Sequence, residues 1–201
     1  MPSLEQPAVR LAGPADVPAL TASLVAAFAD DPIVTWSFPR PDRRPRGASR
    51  FFALALEHHV PQEVTWTAGD GEGGALWALP GRWHRPAMAT LRLCLGCAPS
   101  IGRRAPRVAW GLNGVERRHP TEPHLYLAVL GVHPSAQGRG LGSALLAPGL
   151  ALCDEDRLPA YLETGKEENL RFYARHGFRV IDELRLPSGP RVWRMWREPA
   201  A

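Results

Sequence analysis

Three glycines at alternate positions, in Gln137-Gly138-Arg139-Gly140-Leu141-Gly142-Ser143, stand between an apolar run at residues 125–132 and a helical pattern reaching about residue 152. Strand, glycine turn and helix in that order aim free backbone N–H groups and the positive end of a helix dipole at one spot, and such a spot binds phosphate. Glycine is needed where the backbone must approach a ligand closely, because a Cβ would stand in between. Three phosphate-binding patterns compete here. A Walker loop needs Gly-Lys-Ser/Thr after four spacers, and neither the lysine nor the spacing is present. A dinucleotide fingerprint needs G-x-G-x-x-G, whereas these glycines give G-x-G-x-G. Glu163, at the end of the following strand, mimics the ribose-binding acid of that fold, but about sixty residues follow Gly142, too few for the rest of such a domain. The third pattern, Gln/Arg-x-x-Gly-x-Gly/Ala, is satisfied from Gln137 to Gly142.

Other chemistry-bearing groupings are weaker. Cys94-Leu95-Gly96-Cys97 has the spacing of half a zinc site but neither a second pair nor a histidine at ligand distance, so no metal is expected. His58-His59 reads as helix surface. The arginine runs Arg40, Arg43, Arg44, Arg46, Arg50 and Arg103, Arg104, Arg107 read as solvated charge, with no interleaved aromatics of the kind an RNA module carries. Trp36, Trp66, Trp83 and Trp110 read as core residues, with the lining of an aromatic pocket as the alternative.

The elements that must position the turn follow from apolar period and punctuation. Residues 8–11 read as a strand, and Asp16 as the N-cap of an amphipathic helix over 17–29 with Pro18 just inside it. Asp30-Asp31-Pro32 stops that helix. Residues 40–50, rich in arginine and proline, read as a loop before a second helix at 51–59. Strands at 64–67 and 75–79 flank a glycine-rich hairpin with a flexible tip, and helices follow at 86–98 and 105–118. Residues 125–132 read as a strand buried on both faces. Pro148 predicts a kink in the helix after the turn, since it cannot donate to Ala144. A strand at 160–164, a helix at 168–176 closed by Gly177, and strands at 178–181 and 191–196 complete the pattern.

A chain of 201 residues with 45% hydrophobic and 22% charged residues matches one ordinary globular domain, spanning 1–201. No stretch approaches the roughly 18 apolar residues of a membrane span, and the opening Met1-Pro2-Ser3-Leu4-Glu5-Gln6 lacks the basic and apolar regions of an export signal. Three cysteines make no disulfide framework, so a reduced, cytoplasmic chain is expected. Net charge +4 suits an anionic partner such as a phosphorylated cofactor. Lys166 is the only lysine.

The glycine turn after an apolar strand, followed by Asn169-Leu170-Arg171-Phe172-Tyr173 and His176-Gly177-Phe178, resembles the GCN5-related N-acetyltransferases (GNAT). Val9-Arg10-Leu11-Ala12, Asp16-Val17-Pro18, Ala26-Ala27-Phe28-Ala29-Asp30, Leu162-Glu163-Thr164 and Gly189-Pro190-Arg191 are similar to a branch of that family acting on an aminonucleoside antibiotic. The likeness is densest over residues 125–196 and poor over about 33–120. It implies an α/β fold with a mixed, twisted sheet that is flanked by helices and splayed at the cofactor site, the core of that site lying at about 122–182. It implies acetyl-CoA as acyl donor and a small-molecule primary amine as acceptor. No nucleic acid or membrane is called for, and a homodimer stays open.

On this resemblance Gln137, Gly138, Arg139, Gly140, Leu141, Gly142 and Ser143 hold the pyrophosphate. The backbone of Leu130, Gly131 and Val132 pairs with the pantetheine arm, one N–H there also polarising the thioester carbonyl. Tyr173 is the general acid for the departing thiolate. Asn169 and Phe172 border the cofactor, a helix N-cap being the alternative role for Asn169. The substrate ammonium must lose its proton to a carboxylate or histidine. Glu122, Glu163 and Asp30 are the candidate bases, with His124 beside them on the central strands. A CoA-sensing module without catalysis, an enzyme acting on a peptide or protein amine, and an arginine-rich nucleic-acid binder that reuses the fold are the rival readings.

Overall fold

A computed structural model describes residues 8–200 of the chain. In chain order the elements are β1 (Val9–Leu11), α1 (Val17–Ala27), α2 (Pro32–Ser37), α3 (Arg44–His59), β2 (Thr65–Ala68), β3 (Gly73–Ala78), α4 (Ala87–Ile101), α5 (Ala105–Glu116), β4 (Leu125–Val132), α6 (Leu141–Glu155), β5 (Ala160–Thr164), α7 (Glu168–Arg175), β6 (Arg179–Arg185) and β7 (Arg191–Arg197). The strands form one mixed sheet in the order β1-β2-β3-β4-β5-β7-β6. Every neighbour is antiparallel except β4 and β5, which run parallel through the α6 crossover.

Helices cover both faces. On one, Leu141, Leu145, Leu146 and Cys153 of α6 bury Trp77, Leu125, Leu127 and Leu162. On the other, Leu20 and Leu24 of α1 and Phe52, Ala55 and Leu56 of α3 bury Leu76 and Val129. A third cluster joins Val108 of α5 and Trp36 of α2 to Leu184, Leu186 and Val192 of the closing hairpin. Leu127 and Val129 stand two apart yet face opposite cores. The cause is a bulge: Trp77 pairs with Leu127 and Leu76 with Val129, so Ala128 is an extra residue that flips the strand's facing. β4 therefore alternates buried and half-buried positions and is not sealed on both sides as the apolar run predicts.

Several other expectations are corrected. Residues 44–50 belong to α3, because Pro45 sits in the first turn, where no N–H is needed, and Gly47 and Ala48 are buried. Asp31 does not merely end α1; its Oδ1 accepts from the N–H of Ile33 (2.8 Å) and Val34 (3.0 Å) and starts α2. Asp16 is no cap for α1, since a single 3-10 turn precedes the helix and the carboxylate accepts instead from Arg10 and from the Gly13 N–H. The hairpin tip is tied down, with Ser23 Oγ donating to the Gly71 carbonyl and Gly73 and Gly74 inside β3. No described helix is long and apolar enough to cross a membrane.

His59 is buried, not on the surface, with Nδ1 2.9 Å from the Trp77 carbonyl. Burial pushes its imidazole down to about 4. The unfolded chain then binds a proton near pH 6.5 that the native state refuses until about 4, so stability falls as pH drops through that window. Between pH 7 and pH 4.5 this residue removes about 2–3 kcal/mol. Urea midpoints of His59→Gln at the two pH values are expected to differ by correspondingly less than those of the native protein.

Candidate active site

β4 and β5 pair only from Leu125–Ala160 to Leu127–Leu162. Beyond that the parallel pair separates: Ala128 to Val132 on β4, and Glu163 and Thr164 on β5, have no strand partner in the gap between them. An unpaired strand edge inside a sheet offers backbone donors and acceptors to an extended ligand. Leu130 and Val132 of this edge are half-buried, while Gly131 turns to α1 so closely that a Cβ would meet Leu24 and Phe28 at 2.7 and 2.8 Å.

At the open end of the gap lies the glycine turn. Gly138 and Gly140 take φ of +78° and +80°, and nothing lies within 4 Å of where either Cβ would stand. α6 begins at Leu141 with no side-chain cap, and no carbonyl or side chain among the described residues accepts from the N–H groups of Gly138 to Ser143. These orphaned donors at a positive helix end, bordered by open space, fit a diphosphate. Gln137 and Arg139 act on the turn itself, Gln137 Nε2 donating to the Val132 carbonyl (3.0 Å) and Arg139 Nη2 to that of Ser135 (3.1 Å). Ser143 Oγ lies 3.0 Å from His176 Nε2, and Phe172 lines the side of Gly142 at 3.4 Å from its virtual Cβ. Asn169 is not a cap; it lies inside α7, and its Nδ2 donates to Thr164 Oγ1 (3.4 Å).

Tyr173 points from α7 into the core around Leu141 and Phe178. Burial, with the nearby charge of Asp31 adding to it, pushes its phenol well above the ordinary value. The three candidate bases separate clearly. Glu122 is exposed, and only its backbone carbonyl touches the site, 2.6 Å from His124 Nδ1. Asp30 is 81% exposed and paired with Lys166 Nζ at 2.6 Å, a bond that holds its carboxyl below the usual carboxylate range and makes it a poor base. Glu163 is enclosed at the mouth of the gap.

Around Glu163 the fold assembles a polar cluster that sequence reading missed. Tyr126 donates to its Oε2 at 2.7 Å and Tyr161 to its Oε1 at 2.8 Å. Burial, followed by the charge of Glu163, pushes both phenols well up. Arg194 donates to the Tyr161 hydroxyl (3.0 Å), to Asp182 (2.9 Å) and to the Arg118 carbonyl. His119 Nδ1 lies 3.7 Å from Glu163 Oε1, and its Nε2 lies 2.9 Å from His124 Nε2. The carbonyl of Glu122 can only accept, so His124 Nδ1 donates to it; in a neutral His124 ring Nε2 then accepts from His119 Nε2, which leaves His119 Nδ1 on the side of Glu163. Trp83 stacks between His84 and His119, with centroids 3.5 and 3.6 Å away. Of the other tryptophans, Trp36 and Trp66 are core and Trp110 lies open on α5. Tyr161 and Glu163, two apart on one strand and therefore on one face, are a signal that sequence reading can use; His119, in a bend after α5, has none.

Residues 101–178, from the end of α4 through the glycine turn and α7 to the edge of β6, match the Acetyltransferase (GNAT) family. The chain is 25% identical over 178 residues to an uncharacterized N-acetyltransferase of Schizosaccharomyces pombe, covering 78% of this chain and 68% of that protein. A crystal structure from Corynebacterium glutamicum, described as histone acetyltransferase HPA2 and related acetyltransferase, shares the fold over 98% of both chains with TM-score 0.73 and 29% identity. Drosophila melanogaster polyamine N-acetyltransferase, an enzyme that forms N-acetylagmatine, shares the fold over 95% of this chain and 99% of its own with TM-score 0.67 and 18% identity. The family match is seated on the strands and turn that frame the gap, and the likeness to acetyltransferases runs along nearly the whole chain, so sequence and fold together point to an N-acetyltransferase.

Proposed function

We propose that the chain is a single acetyltransferase domain, with its cofactor core at about residues 122–182, that moves an acetyl group directly to the primary amine of a small molecule. The observation that carries this reading is the pairing of two vacant backbone surfaces, the free edge of β4 from Ala128 to Val132 and the orphaned N–H groups of Gly138 to Ser143. When bound, acetyl-CoA supplies the acetyl group as an activated thioester. Gly138, Arg139, Gly140, Leu141, Gly142 and Ser143 donate to its pyrophosphate, and the edge at Leu130 and Val132 holds its pantetheine arm extended. An N–H of that edge directed at the thioester carbonyl is worth about 3 kcal/mol of barrier.

Glu163 takes one proton from the acceptor ammonium and gives it up to solvent once the acetylated product has left. The freed nitrogen forms the C–N bond. Tyr173 donates its phenolic proton to sulfur as the C–S bond breaks, and regains one from the nitrogen that has become an amide. Short segments that resemble puromycin N-acetyltransferase make puromycin one of the acceptors to be tried. Purified protein is expected to gain about 2.7 kcal/mol of stability at acetyl-CoA a hundredfold above its dissociation constant. It is also expected to release CoA thiol with at least one amine of a panel. Glu163→Gln should lower kcat/KM about 100-fold at pH 7, and less at higher pH, where more of the amine arrives already neutral. No thermal response to acetyl-CoA, or full turnover by the variant at pH 7, would overturn the assignment.

A further inference from the structure

Arg85 belongs to the segment between β3 and α4, with its guanidinium carbon 5.9 Å from the centroid of the Phe51 ring. Its Nε is sealed from solvent and has no acceptor among the described residues. Two other enclosed arginines have carboxylate partners, Arg194 with Asp182 at 2.9 Å and Arg197 with Asp154 at 2.7 Å, while the half-buried Arg44 and Arg107 donate to backbone carbonyls. Arg85 has no such partner among the described residues. Glu116, whose charge reaches it, is half exposed and lies 3.7 Å from His84. The remaining neighbours supply no anion. Burial and this same cation hold His58 and His59 below their ordinary value, and burial pushes the Cys97 thiol up to about 11. A half-buried guanidinium whose Nε is sealed and which has no counter-charge among the described residues gains little for the fold, which an apolar side chain of the same length would serve as well. Such a residue points to a ligand that completes it.

The cation stands next to the chemistry. Its charge acts on the Tyr126 phenol, which donates to Glu163 at 2.7 Å. Trp83, two residues before Arg85 in the chain, stands edge-on to that same tyrosine at 6.5 Å between centroids. We propose that the acceptor amine carries a carboxylate and that Arg85 binds it while Glu163 receives the ammonium proton. The inference rests on the reading of Glu163 as the base. A planar carboxylate matches the guanidinium fork with two parallel bonds, and its single charge balances the one unpaired cation. A second ammonium or a guanidinium on the acceptor would instead face a like charge.

The test uses matched pairs that differ in one carboxylate: phenylalanine and phenethylamine, arginine and agmatine, 5-aminopentanoate and butylamine. Each is titrated into the CoA-saturated protein by calorimetry and assayed for CoA release with acetyl-CoA, puromycin included. Within at least one pair the carboxylate member should win by roughly 10- to 100-fold, the range of one charge-assisted contact. Arg85→Met should erase that ratio while keeping the stabilisation by acetyl-CoA. The same variant should melt no lower than the native protein, because it removes an unpaired charge. Arg85→Lys should keep part of the ratio. The proposal is overturned by equal or reversed preference in every pair, by no binding of either member, by puromycin outrunning every carboxylate amine, by a ratio that survives in Arg85→Met, or by that variant melting many degrees lower. A calorimetric preference without turnover of any amine would uphold the anion site and sink the transfer reading, so the two failures are distinct.

Discussion

Gly140→Val is expected to abolish the stabilisation by acetyl-CoA and raise the acetyl-CoA KM by at least about 100-fold, with the unliganded fold intact. The residue takes φ of +80°, which costs an L-amino acid on the order of 1–2 kcal/mol, or several degrees of melting temperature in a chain this size. No protein atom lies within 4 Å of the added Cβ, so nothing else in the fold must shift. The new side chain instead stands among the free N–H groups at the start of α6, where a diphosphate would dock. Gly81, at φ +72° and equally open, provides the control, since Gly81→Val carries the same backbone strain away from the turn. Melting curves of both variants with and without acetyl-CoA separate strain from ligand loss. A Gly140→Val protein that responds to acetyl-CoA like the native one would remove the turn from the site.

The strands around the turn were legible because apolar runs bounded by glycine and proline leave little choice of element. β5 lies where its run predicts, and β4 does too, but its facing was hidden. Leu125-Tyr126-Leu127-Ala128-Val129-Leu130-Gly131-Val132 is apolar on both parities, so no period betrays the bulge at Ala128 that turns Leu127 and Val129 to opposite cores. The opening of α3 was illegible for the opposite reason. Its arginines and Pro45 look like loop, and only the packing of Gly47 and Ala48 reveals a buried face.

The site divided along similar lines. Local chemistry marks the glycine turn, because three glycines and a helix start suffice to orient the donors. It also narrows the bases to three carboxylates, but the choice among them is tertiary. Lys166 lies 136 residues from Asp30, and Tyr126 lies 37 from Glu163. Such partners decide which carboxylate is enclosed and hydrogen-bonded, and no spacing rule links them. Arg85 escaped notice because its significance is the lack of a partner, a property visible only after every other arginine has been placed.

Tyr173→Phe is expected to lower kcat by roughly 100- to 1,000-fold, within the range of a lost general acid, with the acetyl-CoA KM little changed and the melting temperature equal or higher. The phenol is buried, and only desolvation and the charge of Asp31 act on it, with no hydrogen bond among the described residues. A hydroxyl in that state gives the fold nothing, so its removal costs no stability. A purely structural tyrosine would show the reverse pattern, lost stability with turnover preserved. Burial raises the acid's pKa, which at first sight widens the gap of about 1.5 units, or about 2 kcal/mol, between ordinary tyrosine and thiol. Desolvation penalises a thiolate as well, however. In this protein it pushes the buried Cys97 up to about 11 and Cys153 to about 12, the direction in which burial would also move a leaving sulfur. The elevated phenol also keeps its proton throughout any practical assay, so kcat should show no fall on the alkaline side up to about pH 10. Turnover of Tyr173→Phe at the native rate would take the proton donor away from α7 and leave the thiolate to be protonated by solvent.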